Sequence, residues 1–277
     1  AGGGAGGASV MTGDNNTLIG KEAGKLITSG VNNVAVGVNS LDANTTGNNN
    51  VAIGINALSA NTTAEANTAV GTNALMVNTT GTQNVAIGQS ALDANTTANN
   101  NTAVGYQSLT GTTTGANNTA VGMNSMVANT TGGNNVAIGG SALTANTTAS
   151  DNVAIGNDAL ASNTTGAGNT AIGAEALDSN TTGGYSVAIG NRALQANTDI
   201  SGNVAIGADA MFSNTVGDKC VAVGSDALKL NTTAVHNTAI GHSALTANTT
   251  GGNNTAVGKG ALLSNTTGGE NAAFGLS

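Results

Sequence analysis

The chain has 277 residues, of which 7% are charged and 1% aromatic, with 42 glycines, no proline, no tryptophan and a net charge of −8. So few aromatic residues exclude a conventional globular core, charge this sparse (against roughly 25% in an average soluble domain) excludes an ordinary polar surface, and the steady recurrence of Ile, Val, Leu and Ala excludes disorder. Six Lys and Arg residues cannot make a phosphate-binding stripe, so no nucleic acid is expected, and no stretch approaches the ~18 apolar residues of a membrane span, so no membrane insertion is expected.

The first element is a glycine-rich arm over residues 1–13, opening AGGGAGGA, which reads as a linker outside any repeat. No secretory signal is visible and the chain starts at Ala1 without Met, so it reads as a mature or trimmed product. Residues 14–277 then form one repeat array. The glycine of an Ala-[Ile/Val]-Gly element falls at Gly20, Gly37, Gly54 and onward to Gly258 and Gly275, every interval being 17 residues, which gives sixteen copies with no insertion or deletion.

The copies open on Asn, as at Asn33, Asn50, Asn67 and Asn84, except for the two that hold Ser186 and Cys220 there. A short Val/Thr-Ala-Ile/Val segment follows, alternating and rich in β-branched residues, which predicts a strand. Its central residue is Ala in fifteen of the sixteen copies, the exception being Leu18. After the glycine come two variable residues, then Ala or Ser, then Leu or Met (Leu41, Leu58, Leu75, Met126), predicting a bend or a second strand. An Asn-Thr-Thr-Gly/Ala segment closes the copy as a turn. Seventeen residues are too few for helix-containing repeats, so the array is expected to be all-β, a parallel β-solenoid (β-roll) of sixteen 17-residue coils. At ~4.8 Å per strand this is a stack on the order of 75 Å long.

The Ile/Val and Leu columns are almost never polar, which places them in the coil interior and turns the Ala column outward. A small outward face with a thin core predicts packing against sister chains, in a homotrimer or a bundled filament. The two Asn columns are expected to stack coil on coil as amide ladders.

The strand motif Asn84-Val85-Ala86-Ile87-Gly88 and its fifteen relatives resemble the head repeats of YadA-like trimeric autotransporter adhesins. Over the whole unit, Asn101-Thr102-Ala103-Val104-Gly105-Tyr106-Gln107-Ser108-Leu109 is similar to repeats of tail-fibre-like and surface proteins. The first resemblance implies left-handed parallel β-rolls packed as trimers. Together they imply a non-enzymatic extracellular or cell-surface structural fibre or adhesin rod, acting by rigid multivalent display and self-assembly, with a cell-surface or matrix ligand. The alternative is a phage tail-fibre shaft or receptor-binding segment on a virion. The coils here are longer than those of the adhesin heads, by residues in the Leu-to-Gly segment.

No catalytic residue, cofactor-binding residue or metal ligand set emerges, and no cofactor is expected. His236 and His242 stand six apart without a third ligand. Cys220, the one cysteine, replaces a ladder Asn as Ser186 does, and reads as a small gap filler, with an intermolecular disulfide as the other reading. Scattered acids such as Asp14 lack a calcium-binding pattern. The Asn-Thr-Thr triplets at Asn44, Asn61, Asn78, Asn95, Asn129, Asn146, Asn163, Asn180, Asn231, Asn248 and Asn265 are formally N-glycosylation sequons, though the turn already accounts for them. Ice binding is a further reading of the Thr pairs, set back by their adjacent placement in a turn. The chain stops just past its last strand segment, Asn271 to Gly275, with no visible cap, which predicts end-to-end stacking by strand addition or else a fragment of a longer fibre.

Overall fold

The computed structural model of the chain describes residues 11–276. They form two compact units, one ending at Asn135 and one beginning at Val136. Each is a parallel β-solenoid, and among the described residues there is no helix. The first unit holds β1 (Thr17–Ile19), β2 (Val34–Val36), β3 (Val51–Ile53), β4 (Thr68–Val70), β5 (Val85–Ile87), β6 (Thr102–Val104) and β7 (Thr119–Val121). The second holds β8 (Val136–Ile138), β9 (Val153–Ile155), β10 (Thr170–Ile172), β11 (Val187–Ile189), β12 (Val204–Ile206), β13 (Val221–Val223), β14 (Thr238–Ile240), β15 (Thr255–Val257) and β16 (Ala272–Phe274).

Within each unit every strand pairs with the next in parallel, and partners differ by 17 in number, as in Val34↔Val51 and Val153↔Thr170. Within each unit the expected parallel β-solenoid is therefore present, with the 17-residue register kept from coil to coil. A parallel pair needs a long crossover, and here the remainder of each coil supplies it. The crossover is itself bonded to its neighbours: Leu41 N–H donates to Ala57 O at 2.9 Å and Thr45 N–H to Thr62 O at 2.8 Å. Thr12 and Gly13, assigned to the arm on sequence, already donate to Thr28 O at 2.7 and 3.0 Å, so stacking begins before Asp14. The rest of the arm, residues 1–10, lies outside the described residues.

The strand is turned over relative to expectation. The central Ala points inward and is fully buried from Ala35 through Ala256, while the flanking residues face out. Ile19, Ile53, Ile87, Ile138, Ile206 and Ile240 are 36–56% exposed. The physical reason is space. One coil encloses, besides this Ala, a buried Leu or Met, a buried Ala or Ser and two buried Asn, and a second large aliphatic chain has no room. The Leu column is inside as expected; the Ile/Val column is not.

One coil shows this volume rule directly. In the first coil Leu18 replaces the inward Ala and Gly24 stands where Leu41 stands in the next. A Cβ added to Gly24 would sit 2.5 Å from Leu18 Cδ2 and 2.9 Å from Ile27 Cδ1. Leu18 thus occupies the space that the absent leucine leaves.

The bend after the strand alternates backbone hands. The Leu column is held in the left-handed region, with φ of 53° at Leu41 and 51° at Leu58, as are the residues two before it, such as Asn39 at 54°. Asn and Asp tolerate this region; branching at Cβ makes it costly. That is why the interior column holds Leu and Met but never Ile or Val, although Ile and Val abound elsewhere in the chain. The strand glycine carries φ of 137° at Gly37, and a Cβ there would meet Gly54 O at 2.5 Å, so no other residue fits the corner.

Candidate functional site

The interior is organised by two buried columns of asparagine rather than by oil. In the column before the strand, Asn50 N–H and Asn50 Nδ2 both donate to Asn33 Oδ1, at 2.9 and 3.2 Å. In the turn column, Asn61 Nδ2 donates to Asn44 Oδ1 at 3.0 Å. The two columns meet at one carbonyl per coil: Ala64 O accepts from Asn50 Nδ2 at 2.9 Å and from Asn61 Nδ2 at 3.1 Å. Buried amides cost free energy unless bonded, and here nearly every donor and acceptor finds a partner in its own coil or the next. The expected ladders exist, and they fix register as well as fill space.

Where the columns change residue, the pairing shows it. Thr112 interrupts the turn column: Asn129 Nδ2 reaches Thr112 Oγ1 at 3.3 Å, and Asn95 Oδ1 is left buried without a partner. Cys220 takes an Asn place in the other column. It is fully buried, with Sγ 3.4 Å from Ala234 O, the carbonyl its ladder Asn would use. Burial pushes its thiol pKa up, the nearby Asp218 charge adding to the effect. The gap-filler reading of Cys220 matches this geometry, whereas an intermolecular disulfide would require the coil to open.

The same burial decides the Asn-Thr-Thr triplets. Asn44, Asn61, Asn78, Asn95 and Asn163 are fully buried, and the amide hydrogens of Asn61 are both donated inward. The first threonine turns its hydroxyl back into the stack, as when Thr45 Oγ1 donates to Thr62 O at 3.1 Å. Where the Asn is buried these residues are structural and the folded coil offers them to no modifying enzyme; Asn265, in the last coil, is half-buried, with its amide nitrogen bonded to Asn248 Oδ1 at 3.0 Å and Gly268 O at 2.9 Å.

The exterior carries two features. The first is the outward sheet face, a Val/Thr column beside an Ile/Val column, closing on Ala272 and Phe274, with no charged residue in either. It repeats at ~4.8 Å over β1–β7 in the first unit and β8–β16 in the second. The second is a charge cluster on the bend of the second unit. Arg192 Nε lies 2.9 Å from Asp209 Oδ1 and its Nη2 donates to Asp209 Oδ2 at 3.0 Å. Lys229 Nζ bonds Asp209 Oδ2 at 2.9 Å and Asp226 Oδ1 at 2.8 Å, while the Arg192 guanidinium sits 5.2 Å over the Phe212 ring. Those bonds to Asp226 and Asp209 raise the Lys229 pKa. Beside this cluster, burial raises the Asp178 pKa, and Asp158 and Glu175 raise it further.

His236 and His242 are not brought together, since β14 lies between them in the chain and they flank its two ends. His242 Nδ1 is 3.0 Å from Ser243 Oγ. With Ser243, Lys259, Gly260, Leu263 and Leu276 it lines a shallow cleft of about 340 Å³. Among the described residues no group of three or more His, Cys, Asp or Glu is placed to hold a metal ion. No helix there is long and apolar enough to cross a membrane.

Fold and surface together define a class: an all-β repeat protein of the parallel β-solenoid type. Compared with known proteins, the chain matches no protein-family model and no curated protein.

Proposed function

We propose that this chain is a non-enzymatic structural repeat protein that assembles with further copies of itself through the outward sheet face, and that it serves as an extracellular fibre or adhesive display element. The observation that carries this reading is the unbroken absence of charge from the outward Val/Thr and Ile/Val columns. Exposed apolar surfaces of this regularity mark interfaces. A flat, in-register sheet face is complementary to another of its kind, with sheets packing about 10 Å apart. The partner surface is thus the Val/Ile side of the strand and not the Ala side that composition alone suggests. The setting, a cell surface or a virion tail fibre, follows from the resemblance of the strand motif and stands as part of the proposal.

Analytical ultracentrifugation with negative-stain microscopy tests assembly. The native chain is expected to form trimers or filaments. Ile155→Glu with Ile189→Glu, both on the outward column of the second unit, is expected to give monomers with unchanged β-sheet content. A native chain that stays monomeric at high concentration would refute the reading.

A second reading rests on the same face. Threonines at Thr68, Thr102, Thr119, Thr170, Thr238 and Thr255 stand outward on the strands themselves, beside the aliphatic column and at strand spacing. A flat array of methyls and hydroxyls of that kind can order water, which revives ice binding at a place other than the turn. Thermal hysteresis at micromolar protein tests it, and its absence ends it.

A further inference from the structure

The chain contains a second set of sequons besides the triplets of the turn. Asn15, Asn100, Asn117 and Asn253 each begin an Asn-Asn-Thr sequence. They occupy the corner just before the ladder Asn, and all four are exposed. Each has φ of 59–60°, the left-handed conformation of that corner, which turns the side chain away from the stack. Asn15 Nδ2 makes one exposed bond, to Asn32 Oδ1 at 3.3 Å, while the side chains of Asn100, Asn117 and Asn253 make none. The third residue of each sequon, Thr17, Thr102, Thr119 or Thr255, opens a strand and faces outward.

We propose that these four asparagines are the chain's acceptor sites for N-linked oligosaccharide, and that the eleven turn triplets are not. The step is a transfer from a polyprenyl-diphosphate-linked oligosaccharide. The Asn side-chain nitrogen bonds to C1 of the sugar, the C1–O bond to diphosphate breaks, and one amide proton leaves with the released polyprenyl diphosphate. At Asn61 that proton is a ladder proton, so the bond to the sugar would break either the Asn44 or the Ala64 contact. At Asn100, Asn117 and Asn253 nothing is broken. Asn100 and Asn117 sit on consecutive coils about 4.8 Å apart, too close for two glycan stems, so one chain carries a glycan on only one of the pair.

The biological setting rests on the extracellular reading above, but acceptor geometry is read independently of assembly. The full chain is expressed behind a secretory signal in a glycosylating eukaryotic cell and purified natively from medium or cells. It is then digested with an amidase that releases N-glycans in H2¹⁸O. Isotope-labelled aspartate is expected at positions 15, 100, 117 and 253, and intact mass is expected to show no molecule with both Asn100 and Asn117 occupied. The substitutions Thr17→Val, Thr102→Val, Thr119→Val and Thr255→Val each place the residue that other coils carry there, so they delete the sequons without disturbing the coil. They are expected to abolish the glycan with an unchanged melting temperature, whereas Thr46→Val changes nothing in the glycan pattern. Label at any of the eleven turn asparagines in folded protein, or none at Asn100, Asn117 and Asn253, would overturn the proposal.

Discussion

Thr112 is the sharpest test of whether the amide ladders hold the coils together. It stands in a column that is Asn in nearly every other coil, and its neighbour Asn95 keeps a buried Oδ1 with no partner. Thr112→Asn supplies the missing donor to Asn95 Oδ1 and replaces the 3.3 Å contact from Asn129 by the amide pairing seen at 3.0 Å between Asn61 and Asn44. No new space is needed, because the other coils hold an amide there. A buried unsatisfied acceptor costs about 1–3 kcal/mol, so relief of it should stabilise by a similar amount. With a urea dependence of about 2 kcal/mol/M, the midpoint of the first unit should rise by roughly 0.5–1.5 M. The mirror experiment, Asn61→Thr, imports the defect: it orphans Asn44 Oδ1 and should lower the midpoint by as much. Repeat arrays do not always unfold in one step, so hydrogen exchange of peptides spanning residues 92–116 should be read beside the urea curve. If both substitutions leave midpoint and exchange unchanged, the ladders are decoration and the volume of the interior alone sets stability.

Three further outcomes follow from the same geometry. Leu18→Ala and Gly24→Leu should each destabilise, the first by a cavity of about 2–3 kcal/mol and the second by the 2.5 Å clash, while the double variant recovers most of the loss. A thermal-melt double-mutant cycle checks this, and simple additivity would refute the compensation. At Leu58, held at φ of 51°, Leu58→Met should cost less than about 1.5 kcal/mol, whereas Leu58→Ile should cost some 1–2 kcal/mol more because β-branching opposes the left-handed region. Asp178 has a raised pKa, so the folded chain holds its proton at a pH where the unfolded chain has lost it, and stability falls as pH rises through the carboxylate range. Asp178→Asn should therefore stabilise at pH 7 and reduce the gain in melting temperature expected of the native chain on acidification, leaving the share of Asp42 and Asp93, whose pKa values burial also raises.

Spacing made most of the fold legible. Seventeen-residue intervals without an exception point to coils, the β-branched segment to strands, and the stacked Asn positions to ladders, all of which the structure contains. The direction of the strand was not legible from hydrophobicity. A three-residue strand that alternates Val-Ala-Ile presents either the Ala or the pair, and apolar character argues for burying the pair. Interior volume decides otherwise. The signal was present in the paired exceptions Leu18 and Gly24, one gaining the bulk the other loses, which only makes sense if both columns face one interior. The charge cluster was legible only with the coil geometry in hand. Apart from Asp226 and Lys229, three residues apart, its partners lie 17 or 20 residues apart, as in Arg192–Asp209 and Asp209–Lys229, separations that look remote along the chain and are adjacent across coils.

The polar interior also accounts for the rigid period. In a solenoid filled by aliphatic side chains, a one-residue insertion in a crossover shifts packing and some backbone bonds but strands no side-chain amide. Here a turn-column Asn such as Asn61 gives its amide hydrogens to one carbonyl and to the amide oxygen of Asn44, and lends its own oxygen to Asn78 in the coil beyond. A slip of one residue at any coil would take the ladder amides out of line and strand several buried donors and acceptors at once, at about 1–3 kcal/mol each. The expectation is concrete: a single Ala inserted after Thr79, in the turn between two ladder columns, should cost far more than the same insertion costs an exposed loop. Loop lengthening by one residue is nearly free on closure entropy alone. Loss of protection confined to the peptide carrying the insertion would contradict the ladder account. Loss spreading to the coils on either side is what coil-to-coil amide pairing requires.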